Sequence, residues 1–231
     1  MNNKPSYTGI FFACLIIGVW VASTILLMQW HVQWANPLLY LLVLVQMHLY
    51  TGLFITAHDA MHGTVASNKF INNAAGYAAT FFYAAFFYPQ LYTKHHQHHQ
   101  HVHTDQDPDY HHGSFFAWYI RFVRNYLSIW QVLWMALLFN ILKIWIPQPN
   151  LLLFWVVPSL LSTLQLFYFG TYLPHRGDHD NIHQSRTQKR NHLLAFFSCY
   201  FFGYHYEHHD SPGTPWWLLW KTTPPNKTIQ Q

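Results

Sequence analysis

The sequence predicts an all-α integral membrane protein of about four transmembrane helices, with a His-rich helical cap on the cytoplasmic side and one or two interfacial or re-entrant segments. Three observations lead there. Charged residues make up 9% of the 231 residues and aromatics 19%, whereas ordinary soluble domains carry about 25% charge. Four stretches stay apolar over the roughly 20 residues that a helix needs to cross a bilayer. Eleven of the twelve Lys and Arg fall on one side of the topology those stretches define.

Taken in order, residues 7–28 ("YTGIFFACLIIGVWVASTILLM") hold no charge. The run is longer than a signal-peptide core and only Lys4 precedes it, so an uncleaved anchor is expected. Residues 36–57 ("NPLLYLLVLVQMHLYTGLFITA") form the second span, with His48 inside it. Residues 74–92 end in "AATFFYAAFFYPQLY", an aromatic run suited to the membrane surface or to a re-entrant segment. The third span is expected at 126–146, with Lys143 near its end, and the fourth at 151–173. Residues 193–202 are apolar but short, and "PWWLLW" at 215–220 fits an interfacial anchor. The chain reads as one membrane domain, 1–231, whose cap comprises 58–125 and 174–231.

Four crossings put both termini on one side, and the loops 29–35 and 147–150 on the other. Only Lys143 belongs with the latter. The positive-inside rule therefore places the termini and the cap in the cytoplasm. All eight Asp and Glu, and every histidine from His58 onward, lie on that same side. Cys14 and Cys199 sit in apolar stretches, where no structural disulfide is expected. The basic residues are scattered among acids, unlike a nucleic-acid-binding surface.

The chain has 19 histidines. Eight fall within Thr93–Gly113, "TKHHQHHQHVHTDQDPDYHHG". Three groups carry helical spacing: His58 and His62 at i and i+4, His95, His98 and His99 in "HHQHH", and His205, His208 and His209 in "HYEHH". Such offsets place side chains on one helical face, so each face can offer two or three nitrogens to a shared centre. No cysteine joins the groups, which argues against structural zinc and iron–sulfur clusters. Eight imidazoles are more than one tetrahedral ion needs and suit two first-row metals; spacing alone does not choose among iron, copper, zinc and nickel. His96, His101, His103, His111 and His112 read as loop or supporting residues. Asp59 and Glu207, within the motifs, are candidates to orient the ligands. The Asp105, Asp107 and Asp109 run reads as turn-forming.

A histidine pair after a spanning helix, then HxxHH, then a distant HxxHH, resembles the membrane fatty-acid desaturase and hydroxylase superfamily. "AHDAMHG", "FGTYLPHR" and "YHYEHHDSPGTPWWLLW" are similar to the bacterial-type β-carotene 4-ketolases within it. The resemblance runs from about the second span through Lys221. It implies a di-iron centre held by His58, His62, His95, His98, His99, His205, His208 and His209. A ninth ligand, which in acyl-chain desaturases follows an Asn-x-x-x-His pattern, would be His175; Thr171 stands where that Asn would be. His183 and His179 are rivals for the ninth position, and His183 is otherwise a supporting candidate. The implied reaction uses O₂ and external electrons from a ferredoxin to convert C4 of the β-ionone rings of β-carotene into a ketone. The products would be echinenone and then canthaxanthin. Arg121, Arg124, Arg186, Lys189 and Arg190 are candidates to dock the donor. A carotenoid hydroxylase or acyl-lipid desaturase is the alternative within the same chemistry. A His-rich metal transporter is the alternative outside it, although such proteins place ligands near the bilayer midplane, where only His48 lies here.

Overall fold

The computed structural model describes residues 7–189 and 191–222. Lys4, Arg190, Lys227 and both chain ends lie outside them. Among the described residues the regular elements are helical. Three helices are long and apolar enough to cross a membrane: α1 (Thr8–Met28), α2 (Pro37–Met61) and α7 (Gln148–His175). Each matches an expected span.

α2 starts where Asn36 accepts a hydrogen bond from the Leu38 amide and Pro37 occupies the first turn, a pairing of cap and fixed φ that favours initiation. It runs one turn beyond the expected end, so His58 is helical, and stops after His62 at Gly63, whose φ of 71° suits a left-handed helix end. α7 contains two π-helical turns, Leu152–Val156 and Tyr168–Tyr172. Each precedes a proline, Pro158 or Pro174. A proline lacks its amide donor and clashes with the carbonyl four residues back, so the turn before it widens.

The third expected span differs. Within 126–146 the helix is shorter, α6 (Ile129–Leu142), and it is bent by 82° from the helix before it, α5 (Phe115–Tyr126). The break has a local cause: Ser128 accepts a hydrogen bond from the Gln131 amide and starts a new helix. The 14 residues of α6 rise only about 21 Å, short of the roughly 30 Å hydrocarbon core.

Residues 74–92 fold back on themselves, as a re-entrant segment does. α3 (Lys69–Ala84) runs back along α2, turns at Ala85 in a left-handed conformation (φ 54°), and α4 (Tyr88–His101) returns. The turn reaches the level of Tyr50, whose ring lies 5.8 Å from Tyr83, eight residues along α2 from His58, or about 12 Å of helix rise. Buried hydroxyls fasten it there: Tyr83 Oη is 2.9 Å from Thr163 Oγ1 and donates to Ser162 Oγ at 3.2 Å, pairings that polar groups at such depth require. α8 (His192–Cys199) also packs inward, held by Gln165 Nε2 donating to the Ser198 carbonyl at 2.6 Å. α9 (His205–Asp210) and a 3₁₀ turn (Trp216–Lys221) complete the described chain. Four elements thus end together at one end of the bundle: α2, α4, α7 and α9.

Candidate metal centre

The three histidine groups converge. His58 and His62 stand on α2 and its cap, His95, His98 and His99 on α4, and His205, His208 and His209 on α9; His175 closes α7. They form two quartets: His58, His62, His95 and His208, and His98, His175, His205 and His209. Within each quartet one nitrogen from every ring lies within 4.8 Å of the others.

In the first quartet His58 Nε2 lies 3.1 Å from His208 Nε2, and His62 Nε2 lies 2.6 Å from His95 Nε2. His99 Nε2 adjoins it, 3.1 Å from His95 and 3.0 Å from His208. In the second, His175 Nε2 is 2.8 Å from His205 Nε2, His205 is 3.0 Å from His209, and His98 is 3.2 Å from His209. Two nitrogens bound at right angles to one ion, with bonds of about 2.1 Å, lie about 3.0 Å apart.

The tautomers of two rings are set from outside. His98 Nδ1 donates to Asp107 Oδ1 at 2.8 Å, and His175 Nδ1 donates to the Gln184 carbonyl at 2.8 Å. Both Nε2 atoms therefore turn lone pairs inward. His209 and His205 cannot both answer with N–H, because their own Nε2 atoms face each other at 3.0 Å. With all four rings neutral, hydrogen bonds alone leave the quartet frustrated, and a cation at its centre removes the conflict. The all-imidazole donor set fits first-row metals.

Electrostatics agree. Burial pushes the imidazoles of His95, His205, His208 and His209 well below the ordinary value, and neighbouring imidazoles push them further. They stay neutral, as ligation requires. Burial also pushes His98 down, but Asp107 and Asp109 outweigh it and hold its pKa above the ordinary value. Burial, reinforced by Asp107, pushes the Asp109 carboxyl up to about 6.

The nine histidines named from motif and resemblance are brought together. The rivals are not. His183 pairs with Asp210 at 3.2 Å, with its ring 5.9 Å from that of His209, and His179 lies beside His103, 6.2 Å between rings. His48 stacks on Tyr200 at 4.3 Å, apart from both quartets. His96 stacks on Tyr92 and donates from Nδ1 to its carbonyl, while His103 Nε2 donates to the His175 carbonyl at 2.7 Å. Asp59 accepts from the Trp216 amide at 3.2 Å and lies 3.7 Å from His58 Nδ1. Glu207 and Thr171 are buried.

Asp107 and Asp109 exceed the turn role expected of them. Asp107 does shape the loop, accepting from the His103 and Asp109 amides, but it also orients His98. Asp109 lies 4.0 Å from His98 and accepts the Tyr126 hydroxyl. Two acids at a fixed distance after HxxHH were the available signal. Arg186, expected on a docking surface, instead donates to the Leu173 and Arg176 carbonyls at 2.7 and 3.0 Å, covering the end of α7.

A cavity of about 190 Å³ opens onto both quartets, reaching His58, His95, His98 and His205. Its wall is otherwise mostly apolar, including Phe54, Met61, Phe122, Leu166 and Phe202, with Asp109, Gln131, Ser159, Thr163 and Thr171 among its polar members.

The fatty acid desaturase family model matches residues 32–145 and 129–229. The β-carotene ketolase of Paracoccus sp. (strain PC1) is 38% identical over 96% of this chain and 96% of its own. That of Paracoccus sp. (strain N81106 / MBIC 01143) is 37% identical over 88% and 87%. The β-carotene 4-ketolase 3 of Haematococcus lacustris is 40% identical over 74% of this chain and 58% of its own. No solved structure matches. Motifs, convergent histidines and relatives agree: the chain belongs to the fatty acid desaturase family and, within it, to the β-carotene ketolases, and it is a membrane oxidoreductase.

Proposed function

We propose that this protein is a carotenoid 4-ketolase that oxidises C4 of the β-ionone rings of β-carotene, giving echinenone and then canthaxanthin. The observation that carries this reading is the placement of two buried imidazole quartets at the inner end of an apolar cavity. His58, His62, His95 and His208, with His99 beside them, would hold one iron, and His98, His175, His205 and His209 the other. Two irons so held would supply the oxidising power that O₂ and external electrons bring to the allylic C–H bond at C4. The chain's own residues do the selecting. Phe54, Leu166 and Phe202 present an apolar wall to the ring, exclude water and leave one edge of the ring facing the histidines. Asp107 and the Gln184 carbonyl hold two ligands in the metal-binding tautomer.

The electron donor is a ferredoxin-like acidic protein that docks through basic residues of the cap, with Arg121, Arg124 and Lys189 as candidates. The cap faces the cytoplasm, a reading supported by the eleven-to-one distribution of basic residues. The test is pigment chromatography of cells that make β-carotene and express this chain. Keto-carotenoids are expected with the wild type and none with His98→Ala. Unchanged β-carotene, with the protein present in the membrane, would reject the ketolase reading. Hydroxylated rings would select the hydroxylase instead.

A further inference from the structure

We infer that the carotenoid enters sideways from the bilayer through a mouth between the α3–α4 turn, the α5–α6 bend and α7, and that its polyene stays threaded there while one ring is at the histidines. The inference rests on the ketolase reading and adds the route.

Size requires an opening. The cavity measures about 190 Å³, less than the ~300–1,000 Å³ of pockets that enclose a whole drug-sized ligand. A carotenoid is longer than such a ligand, so only one end fits inside. The inner end is blocked by His58, His95, His98 and His205. The outer end is rimmed by Leu127 and Leu160, which line the cavity and are nevertheless 43% and 60% exposed. The neighbouring exposed side chains on α6 include Ile129, Trp130 and Leu133, so the mouth faces hydrocarbon and not water.

The fold explains why a gap exists at this point. A straight third span would have run past α7 without interruption. The 82° bend after Tyr126 carries α6 away from the line of α5, and Leu127 lies in the break. Opposite it, α3 ends at Ala84, whose carbonyl, like others at a helix end, lacks an intrahelical partner. Gln131 supplies the donor: its Nε2 bonds to that carbonyl at 2.7 Å, and at 7% exposed it is the buried residue of α6. One side-chain amide thus ties two lips of the mouth and fixes its width. Gln131 is a positioning residue for substrate passage.

The test compares a long and a short substrate. Leu160→Trp and, separately, Leu127→Trp fill the mouth; Leu164→Trp, one turn further along the same helix and outside the cavity lining, is the control. Each full-length protein is assayed in bilayer nanodiscs for iron content, for bound β-carotene by absorbance, and for oxidation of β-carotene and of β-ionone, which has the ring but only a short tail. With iron content unchanged, the two mouth variants are expected to lose about tenfold or more in β-carotene binding and oxidation, and to lose less in β-ionone oxidation, because β-ionone passes the mouth but leaves no chain in it. Equal handling of β-carotene by the mouth and control variants overturns the proposal, as does a loss of β-ionone oxidation as large as that of β-carotene. If a Trp variant loses iron, Leu160→Phe is measured by the same criteria. If wild type oxidises neither substrate, the ketolase reading fails, and the binding comparison still decides whether the mouth admits the polyene.

Discussion

At the scale of single residues, each imidazole has two nitrogens, and in His98 and His175 the site uses both. The inward nitrogen faces the other rings, and the outward one determines which tautomer is present. For His98 that control rests with Asp107, 2.8 Å away. Asp107→Asn keeps the shape of the side chain but removes the charge that favours ligation, and one of the two acceptors that hold His98, His103 and Asp109 becomes a donor. Metal affinity is expected to fall about 10–100-fold, measured by competition with a chelator; unchanged affinity would mean that Asp107 serves the loop alone. His175 and His183 are separated in the same way. His175→Ala is expected to empty the second quartet, whereas His183→Ala, which breaks only the pair with Asp210, leaves metal content intact. The nine histidines were legible because helical spacing and motif are local properties. The Asp107 and Gln184 contacts were not, because they depend on how loops close over the helix ends.

At the scale of elements, helix ends decide the geometry. Residues 126–146 looked like one span because their apolar content is continuous. The bend was nonetheless written in the sequence: Ser128 followed by Gln131 is the pattern of a capping box, and hydrophobicity alone does not register a cap. The π turns before Pro158 and Pro174 were also foreseeable in kind. Their consequence, which is how far α7 rotates before it presents His175, was not. Packing at the second of these turns is tight. A Cβ at Gly170 would meet the Phe202 ring at 2.5 Å, and Phe202 packs 4.8 Å from the His58 ring. Gly170→Ala is therefore expected to destabilise the protein by about 1–3 kcal/mol through overpacking and to lower iron retention, read by thermal melting and metal analysis. A variant with wild-type melting and iron content would show that Phe202 can move freely.

At the scale of the whole molecule, the fold gathers neutral imidazoles in a place where protons are unwelcome. His95, His205, His208 and His209 have folded pKa values below the ordinary value of about 6.5. As pH falls through that value the unfolded chain takes up protons that the folded chain refuses, so stability is lost on acidification. His98 and Asp109, both shifted upward, act in the opposite sense but are outnumbered. The metal-free protein should melt at a lower temperature at about pH 5 than at about pH 7; a flat or reversed profile would mean that the rings are not buried as described. The membrane class and the helical fold were legible from composition and from uncharged runs, whereas the re-entrant depth of α3 and α4 depends on tertiary contacts such as Tyr83 with Thr163.

Iron counted per polypeptide, on protein purified without added chelator, examines the convergence itself. Two atoms per chain are expected in the wild type, with loss in both His98→Ala and His208→Ala, one variant from each quartet. A single ion, or zinc in place of iron, or a full complement retained by either variant, would contradict a paired centre built from distant helices.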